Sequence, residues 1–457
     1  MLRNLLLSLF CSTVVSNAQS WSELGTGANA LKANEEIYSI VVDKPGNVYA
    51  AGYFGDANGK SYVAKWNGTT WSELGTGSAA LNASQGINAI AIDNSGNVYA
   101  GGYFLNTAKN SYVAKWNGAI WSELGTGSAA LNANDAINAI VVDNFGNVYA
   151  AGNFTNSSGY SYVAKWNGAA WSELGTGSNA LNANYVINTL AIDKTGNIYA
   201  AGFFLDSNNN YYVAKWNGTN WSELGGAGTN GLNANEEIYS ILVDKSGNVY
   251  AAGYFTDTHG MPYVAKWNGT MWSELGTGSN ALNPNDGINC IAMDSSGNLY
   301  AAGNFTDSYG NEYVAKWNGT SWSELGTGNA ALNANSYINA LATDAAGNVY
   351  TAGNFTDTSN NYYVAVYSLT TVTGITNSAN SSIIIAAYPN PTSGSLIINS
   401  PEATQVSVYS ALGELVASKN IEPGNTSIAL DNLPTGLYTL ILTGQNNSYT
   451  PIKVVKN

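Results

Sequence analysis

The sequence predicts an all-β protein, and three observations support this fold class. A motif of about fifty residues recurs seven times along the 457-residue chain. Gly, Asn, Thr, Tyr and Val are frequent, and these residues favour turns and strands over helices. Aromatic residues make up 12% of the chain, with 13 Trp and 30 Tyr, which argues against intrinsic disorder because disordered chains are poor in aromatic side chains.

Each repeat begins with the motif Trp-Ser-Glu-Leu-Gly. The copies are 50 residues apart, except for one unit of 51 residues that carries an extra Gly near Gly225-Gly226. Their first residues are Trp21, Trp71, Trp121, Trp171, Trp221, Trp272 and Trp322. Repeats of this length are typical of solenoids and of closed ring architectures.

One repeat unit predicts four short strands, named A to D, at residues 87–92, 98–104, 112–116 and 121–124. The segment 93–97 has turn chemistry between strands A and B, because Asp opens turns and Gly tolerates positive φ. Asn117-Gly118 predicts a tight hairpin between strands C and D. Each unit is therefore expected to form a four-stranded antiparallel meander.

Seven meanders packed face to face around an axis form a seven-bladed β-propeller, which buries both faces of every sheet. The two ends of the array favour a ring over an open stack. Trp21 to Leu24 reads as a strand D with no preceding A, B or C, whereas the last unit ends at residues 363–367 with no strand D. We predict that the N-terminal strand completes the seventh blade, with Trp21 opposite Tyr367.

Residues 1–18 predict a secretory signal: Arg3, an apolar stretch at 5–15 and the small residues Ser16-Asn17-Ala18. The apolar stretch is too short to span a bilayer, so no transmembrane segment is expected. Of the two cysteines, Cys11 lies in this signal, so only Cys290 would remain in the secreted chain and no internal disulfide could form. Cys290 occupies a small-residue position of strand A and is expected to pack.

Charge and rare residues exclude several classes of function. The formal charge is −14, which disfavours nucleic acid as a partner. Arg3 is the only Arg and His259 the only His, so catalytic triads, multi-histidine zinc sites and arginine clamps for anions are unsupported. We expect no cofactor and no metal, with calcium at the Asp/Asn-rich segment 307–312 as an alternative.

The repeat carries a family resemblance. The run Asp-x-x-Gly-Asn-Val-Tyr-Ala-Ala-Gly, followed by Tyr-Val-Ala-Lys-Trp-Asn-Gly-Thr-x-Trp, resembles bacterial kelch-like β-propeller repeats. The resemblance covers about Trp21–Leu369, and the predicted propeller domain is residues 19–369. It implies the fold and carries no catalytic residues.

A second domain is predicted at residues 385–457, after a linker at 370–384 rich in Thr, Asn and Ser. Short strands between Pro, Gly and Asn turns favour a small β-sandwich. Three ordered motifs resemble the type A C-terminal sorting domain of the type IX secretion system. Their residues are Tyr388, Pro389, Asn390, Pro391 and Gly394, then Gly436 and Tyr438, and finally Lys453 and Lys456.

This resemblance implies the type IX secretion machinery as a partner. It also implies a location outside the cell or on the outer-membrane surface of a two-membraned bacterium. An adhesive sandwich module is the alternative interpretation of this tail.

If strand A is innermost, the D–A and B–C loops share one face of the propeller, called the variable face because it differs most between copies. Ligand sites tend to lie on loops held by a rigid scaffold, so we place any ligand there. The candidates are Tyr160, Tyr185, Tyr309 and Tyr337 for stacking and Asp257, Asp307 and Asp357 for hydrogen bonds. The alternative is that these residues only form solvated turns.

The predicted function is a non-enzymatic binding or adhesion module for a glycan or a protein. One rival is a carbohydrate-active hydrolase, which needs only two carboxylates, such as those among Glu35, Glu36, Glu236 and Glu237. Another is a structural surface protein without a specific ligand. The Trp residues are expected to be structural, because all of them recur with the strand pattern.

Overall fold

A computed structural model describes residues 19–226, 228–369, 386–388, 390–400, 404–410, 415–444 and 452–457. The chain divides into two compact units, Met1–Thr370 and Thr371–Asn457. The predicted signal at 1–18, the linker at 370–384 and Pro389 lie outside the described residues, so these assignments stay predictions. Within the described part, no helix is both long enough and apolar enough to cross a membrane.

The first unit contains seven four-stranded antiparallel sheets, as predicted. Strand β1 is Gln19–Glu23. Blade 1 contains β2 Ile37–Val42, β3 Val48–Gly52, β4 Ala64–Trp66 and β5 Trp71–Glu73; blade 2, β6 Ile87–Ile92, β7 Val98–Gly102, β8 Ala114–Trp116 and β9 Trp121–Glu123; blade 3, β10 Ile137–Val142, β11 Val148–Gly152, β12 Ala164–Trp166 and β13 Trp171–Glu173; blade 4, β14 Ile187–Ile192, β15 Ile198–Gly202, β16 Ala214–Trp216 and β17 Trp221–Glu223.

The remaining blades repeat this order. Blade 5 contains β18 Ile238–Val243, β19 Val249–Gly253, β20 Ala265–Trp267 and β21 Trp272–Glu274; blade 6, β22 Ile288–Met293, β23 Leu299–Gly303, β24 Ala315–Trp317 and β25 Trp322–Glu324; blade 7, β26 Ile338–Thr343, β27 Val349–Gly353, β28 Ala365–Leu369 and finally β1.

Six of the seven D–A loops contain a short 3-10 turn: Gly27–Asn29, Gly77–Ala79, Gly127–Ala129, Gly177–Asn179, Gly278–Asn280 and Gly328–Ala330. The loop before blade 5, which carries the extra residue of the 51-residue unit, has no 3-10 turn in its described part.

Strand A matches the predicted bounds, whereas the predictions for strands B and C were two residues too long and that for strand D, which ends at Glu123, was one residue too long. In blade 2, strand B ends at Gly102 rather than 104, and strand C begins at Ala114 rather than 112. The reason is that Phe104 and Tyr112 leave the ladder and pack edge to face at 4.9 Å. Phe104 is fully buried, so its hydrophobic burial replaces strand pairing at this point.

The predicted closure of the ring is confirmed. Strand β1 pairs antiparallel with β28 and forms the outer edge of blade 7. Trp21 lies opposite Tyr367, with ring centroids 5.4 Å apart. The Leu24 amide donates to the Val364 carbonyl oxygen at 2.8 Å, and buried side chains of blades 1 and 7 share one core cluster that includes Ile37 and Tyr350.

A circle of indole hydrogen bonds links the outer strands. In every blade the Trp Nε1 of strand D donates to the carbonyl oxygen of the Leu that follows strand D of the preceding blade, at 2.6–2.9 Å. Trp21 closes the circle by donating to Leu325, and Leu24 in turn accepts from Trp71. These Trp residues are therefore structural, as predicted, with a hydrogen-bonding role that sequence reasoning missed.

The A–B turns form a uniform opposite face. In blade 2 the carboxylate of Asp93 accepts hydrogen bonds from the Asn97 amide, the Asn97 side chain and the Tyr99 hydroxyl, and the same set recurs in each blade. Burial opposes ionisation, but these hydrogen bonds outweigh it and hold the pKa of Asp93 below its usual value. The turn chemistry predicted for this segment is therefore observed.

The second unit is a small β-sandwich. One sheet has the order β29 Ala386–Tyr388, β30 Ser395–Ser400, β33 Gly424–Ala429; the other has β32 Leu415–Ile421, β31 Thr404–Ser410, β34 Gly436–Gly444, β35 Ile452–Lys456. Leu396, Val408 and Leu440 belong to a single buried core.

The predicted sorting-motif residues meet at the last strand. The Asn390 side chain donates to the Lys453 carbonyl oxygen at 2.7 Å and accepts from the Val455 amide at 2.9 Å. The Thr392 amide donates to the Val455 carbonyl oxygen, and the Asn457 amide to that of Thr392. The Tyr438 hydroxyl donates to the Pro434 carbonyl oxygen.

Candidate functional site

The beginnings of the seven A strands surround the axis, because each strand A lies beside strand A of both neighbouring blades. Each blade places two side chains there, one from the second residue of strand A and one from the residue after strand B. We call this set the axial rim. Its members are Tyr38 and Tyr53, Asn88 and Tyr103, Asn138 and Asn153, Asn188 and Phe203, Tyr239 and Tyr254, Asn289 and Asn304, and Asn339 and Asn354.

A β-bulge positions the first of these two side chains. The register of strands A and B shifts at this residue in every blade, for example between Ile87 and Ala89 in blade 2. A bulge takes one residue out of the ladder and redirects its side chain. The residue between the two, Asn88, donates to the Asn138 side chain of the next blade at 3.1 Å.

Three of the rim residues form a first aromatic sector, Tyr38, Tyr53 and Tyr103. The Tyr38 and Tyr53 rings are 4.9 Å apart, and the Tyr103 ring meets Tyr53 edge to face at 6.4 Å. Gly86 makes room for this arrangement, since a Cβ there would lie 2.0 Å from the Tyr53 ring. Tyr38 and Tyr53 remain 37% and 39% exposed, so solvent reaches them.

A second aromatic sector lies in blades 4 and 5 and consists of Phe203, Tyr239 and Tyr254. The Tyr239 ring lies 5.6 Å from Phe203 and 5.2 Å from Tyr254. Gly287 supports the Tyr254 ring as Gly86 supports Tyr53, because a Cβ there would come within 2.5 Å of the ring. The Asn304 side chain donates to the Tyr254 hydroxyl.

Asparagine side chains fill the rim between the aromatic sectors. In blade 3, Asn138 donates to Asn153 at 2.8 Å. In blade 6, Asn289 donates to Asn304 at 2.8 Å, and in blade 7, Asn339 donates to Asn354 at 2.7 Å. Because each amide is held by a neighbour, the remaining donor and acceptor atoms have fixed directions.

Carboxylates stand beside both aromatic sectors. The pKa of Tyr53 is raised to about 12, mainly by burial and to a smaller extent by the neighbouring tyrosines and Glu36. The pKa of Tyr254 is also raised to about 12, mainly by burial and to a smaller extent by neighbours that include Asp286, Tyr337 and Glu237. Both hydroxyls therefore carry their proton at neutral pH and can donate hydrogen bonds.

The structure separates the candidate tyrosines into two groups. Tyr337 lies close enough to Tyr254, in the second aromatic sector, to contribute to its raised pKa, and Tyr185 does the same for Tyr211 of blade 4. Tyr160 and Tyr309 lie in B–C loops, at 41% and 88% exposure, away from the rim. The glutamate pairs 35–36 and 236–237 belong to blades 1 and 5 and lie beside different aromatic sectors.

The candidate aspartates anchor the B–C turns. The Oδ1 atom of Asp257 accepts from the backbone amides of His259 and Met261 at 2.8 and 3.0 Å. Asp307 and Asp357 make the same pair of bonds with the residues two and four positions later. Among the described residues, no group of three or more His, Cys, Asp and Glu side chains could hold a metal ion, so the calcium alternative rests on the loop sequence alone.

Each B–C anchor also lies near the Glu of strand D in its blade, and in blades 2, 3 and 5 the two residues line an outer pocket. In blades 2 and 3 the anchor is Asn, and its side chain donates to Glu123 at 3.0 Å and to Glu173 at 3.2 Å. In the other five blades the anchor is Asp, and burial together with this Asp raises the pKa of the Glu. These acid pairs are Asp56–Glu73, Asp206–Glu223, Asp257–Glu274, Asp307–Glu324 and Asp357–Glu23.

A raised pKa predicts a pH effect on stability. Burial, with a smaller contribution from Asp56, raises the pKa of Glu73 above its ordinary value of 4.5 in the folded protein. The charged form therefore weakens the fold at neutral pH, and stability rises as the pH falls from the folded pKa towards 4.5. We expect Glu73→Gln to raise Tm at pH 7 by on the order of 1 °C, since water screens a partly exposed carboxylate. Calorimetry between pH 4 and 7 measures this.

The matched control is Glu123→Gln, which alters a Glu that already accepts a hydrogen bond from Asn106. It should leave Tm unchanged or lower it. Equal losses of Tm in both variants at pH 7 would contradict the assignment.

Comparison with known proteins identifies the second unit. Residues 386–457 match the family described as secretion system C-terminal sorting domain. The protein is thus secreted by the type IX system to the cell surface or beyond, in agreement with the localisation predicted from the motifs. No curated protein matches the chain.

Two solved structures have a fold similar to that of this chain. The chain is similar to the extracellular domain of a hybrid two-component system protein from B. thetaiotaomicron, with 12% identity, TM-score 0.51 and 96% of this chain and 58% of that chain covered. It is similar to a puromycin-hydrolysing peptidase of Mycobacterium tuberculosis, with 12% identity, TM-score 0.52 and coverage of 83% and 60%.

A third match is PorZ, a surface component of the type IX secretion system of Porphyromonas gingivalis, with 16% identity, TM-score 0.49 and coverage of 93% and 59%. The chain thus spans about three fifths of the length of these three proteins.

Proposed function

We propose that this secreted propeller is a non-enzymatic binding module whose axial rim recognises a glycan. The observation that carries the proposal is the alternation of partly exposed aromatic sectors with hydrogen-bonded asparagine amides around the axis. Tyrosine and phenylalanine rings offer flat apolar surfaces with which the C–H face of a sugar can stack. Amide groups held in place can receive and donate hydrogen bonds to sugar hydroxyls with little loss of entropy.

The charge of the rim supports a neutral ligand. Glu36, Glu237 and Asp286 lie beside the aromatic sectors and would repel an acidic polysaccharide. The protonated hydroxyls of Tyr53 and Tyr254 supply donors, and the carboxylates supply acceptors, which suits a ligand rich in hydroxyl groups.

For the glutamate pairs 35–36 and 236–237, the arrangement of the acids favours binding over hydrolysis. A glycosidase needs two carboxylates on either side of one bond, about 5–9.5 Å apart. The two glutamate pairs lie beside different aromatic sectors, in blades 1 and 5.

The kelch-like classification stays a proposal, as does a protein ligand in place of a glycan.

A glycan array with the secreted form, residues 19–457, tests the proposal. We expect binding to a neutral glycan, and we expect Tyr239→Ala and Tyr38→Ala each to weaken it roughly tenfold, about 1.4 kcal/mol. Tyr309→Ala is the matched control, because Tyr309 is 88% exposed and lies in a B–C loop. No glycan bound, or equal loss in the control, would contradict the proposal, and release of sugars from a bound glycan would favour the hydrolase.

A further inference from the structure

We propose that the axial rim contains two equivalent subsites, in blades 1 and 5, and that one chain of a neutral polysaccharide occupies both at once. Such binding rests on the proposed function, because it uses the same rim, and it requires a ligand of repeated sugar units. Each subsite combines three tyrosines with one glutamate. Subsite 1 consists of Glu36, Tyr38, Tyr53 and Tyr362, and subsite 2 of Glu237, Tyr239, Tyr254 and Tyr211.

The two subsites share an identical stretch of sequence. The run Ala-Asn-Glu-Glu-Ile-Tyr-Ser-Ile occurs at residues 33–40, which lead into blade 1, and at residues 234–241, which lead into blade 5. Both blades also have a tyrosine directly after strand B, at Tyr53 and Tyr254. In the other five blades no Glu-Glu pair precedes strand A, and the second residue of that strand is Asn. The full set therefore occurs in two of the seven blades.

The blade before each subsite contributes its third tyrosine. Tyr362 of blade 7 exchanges backbone hydrogen bonds with Ala33 at 2.9 and 3.1 Å. Tyr211 of blade 4 does the same with Ala234, also at 2.9 and 3.1 Å. This position, at the end of the B–C loop, holds Ser, Pro or Glu in the other five blades. Tyrosine thus occurs here only in the two blades that precede a subsite.

The blade after each subsite contributes a glycine. The last residue before strand A is Gly only in blades 2 and 6, at Gly86 and Gly287. A Cβ at these positions would lie 2.0 Å from the Tyr53 ring and 2.5 Å from the Tyr254 ring. Three consecutive blades therefore carry matched residues at each subsite, so the match extends beyond a single copied strand.

A glutamate lies among the three tyrosines of each subsite. The pKa of Tyr38 and that of Tyr362 are raised mainly by burial and next by Glu36, so this carboxylate lies close to both. In subsite 2, Glu237 affects the two corresponding tyrosines in the same way. With ring pairs at 4.9 and 5.2 Å, each subsite offers aromatic surface, phenolic donors and a carboxylate acceptor to one sugar unit.

Packing alone does not require these residues. The other five blades form the same four-stranded sheets with different residues at these positions, and Tyr38 and Tyr53 stay partly exposed. The B–C loops of blades 1 and 5, residues 55–61 and 256–262, have only an Asp and a Gly in common. The two blades are thus identical at the rim and different in the B–C loop, as expected when both subsites contact the same chemical unit.

The subsites lie on nearly opposite sides of the ring. Blades 6 and 7 separate them on one side, and blades 2, 3 and 4 on the other. A disaccharide should therefore fill one subsite, so that each protein binds two. A longer chain that crosses the axis can contact both subsites, and its second contact forms at a high effective concentration because the ring holds them in place.

Isothermal titration of residues 19–457 tests this with four neutral series, the cello-, malto-, laminari- and manno-oligosaccharides. For a series that binds, we expect two disaccharides per protein. We expect one decasaccharide per protein, bound at least tenfold more tightly than the disaccharide. A ligand that bridges two subsites produces this combination of stoichiometry and affinity.

Substitutions by the residue of the other blades locate the subsites. Tyr38→Asn and Tyr239→Asn each introduce the Asn that the other five blades have at this position, so the fold should be kept. Each should lower the disaccharide stoichiometry from two to one and weaken decasaccharide binding at least tenfold, and the double variant should bind neither. Tyr309→Ala, in a B–C loop, should change none of these values.

The outcomes separate the pair of subsites from glycan binding as such. If no oligosaccharide of the four series binds, both proposals are wrong. The pair of subsites is overturned, while glycan binding stands, by any of three results: one disaccharide per protein, a decasaccharide bound no more tightly than the disaccharide, or a Tyr38→Asn variant that still binds two disaccharides.

Discussion

Removal of residues 452–457 is expected to abolish delivery of the protein to the cell surface. These residues include strand β35, which pairs with β34 at the edge of its sheet. Val454 is fully buried in the sandwich core, and Asn390 and Thr392 hydrogen-bond to the backbone of this strand. Without the strand, the sorting-motif residues lose their partners and the core is opened, at a cost of several kcal/mol.

Fractionation of a bacterium that has a type IX system measures the effect. We expect at least a tenfold fall in the amount of protein outside the outer membrane. Val454→Asp should act in the same direction, whereas Val455→Ala, at a side chain that is 41% exposed on the same strand, should be exported normally. Export of the truncated protein at the full level would contradict this account of the domain.

Deletion of residues 19–24 is expected to destabilise the propeller by several kcal/mol. The deletion removes β1 with Trp21 and Leu24, exposes the edge of β28, and leaves the Leu325 carbonyl oxygen and the Trp71 indole without their partners. Loss of a large packed aromatic side chain alone costs about 3–5 kcal/mol. Chemical denaturation of residues 25–457 against 19–457 measures the difference.

Single substitutions separate strand pairing from side-chain packing. Trp21→Ala should account for a large part of the loss, whereas Ser22→Ala, an exposed position of the same strand, should have almost no effect. An unchanged free energy of unfolding after the deletion would mean that the first strand contributes nothing to the ring.

The ring could be predicted because its evidence lies in strongly patterned segments. The repeat fixes the number of blades, and the incomplete first and last units are complementary, so the pairing of Trp21 with Tyr367 follows from the Trp66–Trp71 register. Strands B and C were predicted too long because residues such as Phe104 have high strand propensity. In the folded protein they fill the core between strands.

The axial rim was not predicted from the sequence, for a physical reason. Strand alternation assigns Asn88 and Tyr38 to ordinary strand faces, but the β-bulge at this position redirects them. Comparison of the copies could have given a signal, because this position and the one after strand B hold only Asn, Tyr or Phe in all seven units. The alternative interpretation of the sequence predicted that the B–C aspartates only form turns. In the structure, Asp257, Asp307 and Asp357 do anchor turns.

The ring that holds the rim and the outer pockets is tested most directly by a designed disulfide. Ser20 pairs with Ser368 across β1 and β28, so cysteines at both positions should come within bridging distance. Cys290→Ala provides the background, and Ser22→Cys with Ser368→Cys is a control in which the pair is shifted by two residues, about 7 Å along the strand. Peptide mapping of residues 19–457 under non-reducing conditions should find the intramolecular bridge nearly complete in the first pair and absent in the second. Free thiols in both, or equal oxidation of both, would contradict a ring closed in this register.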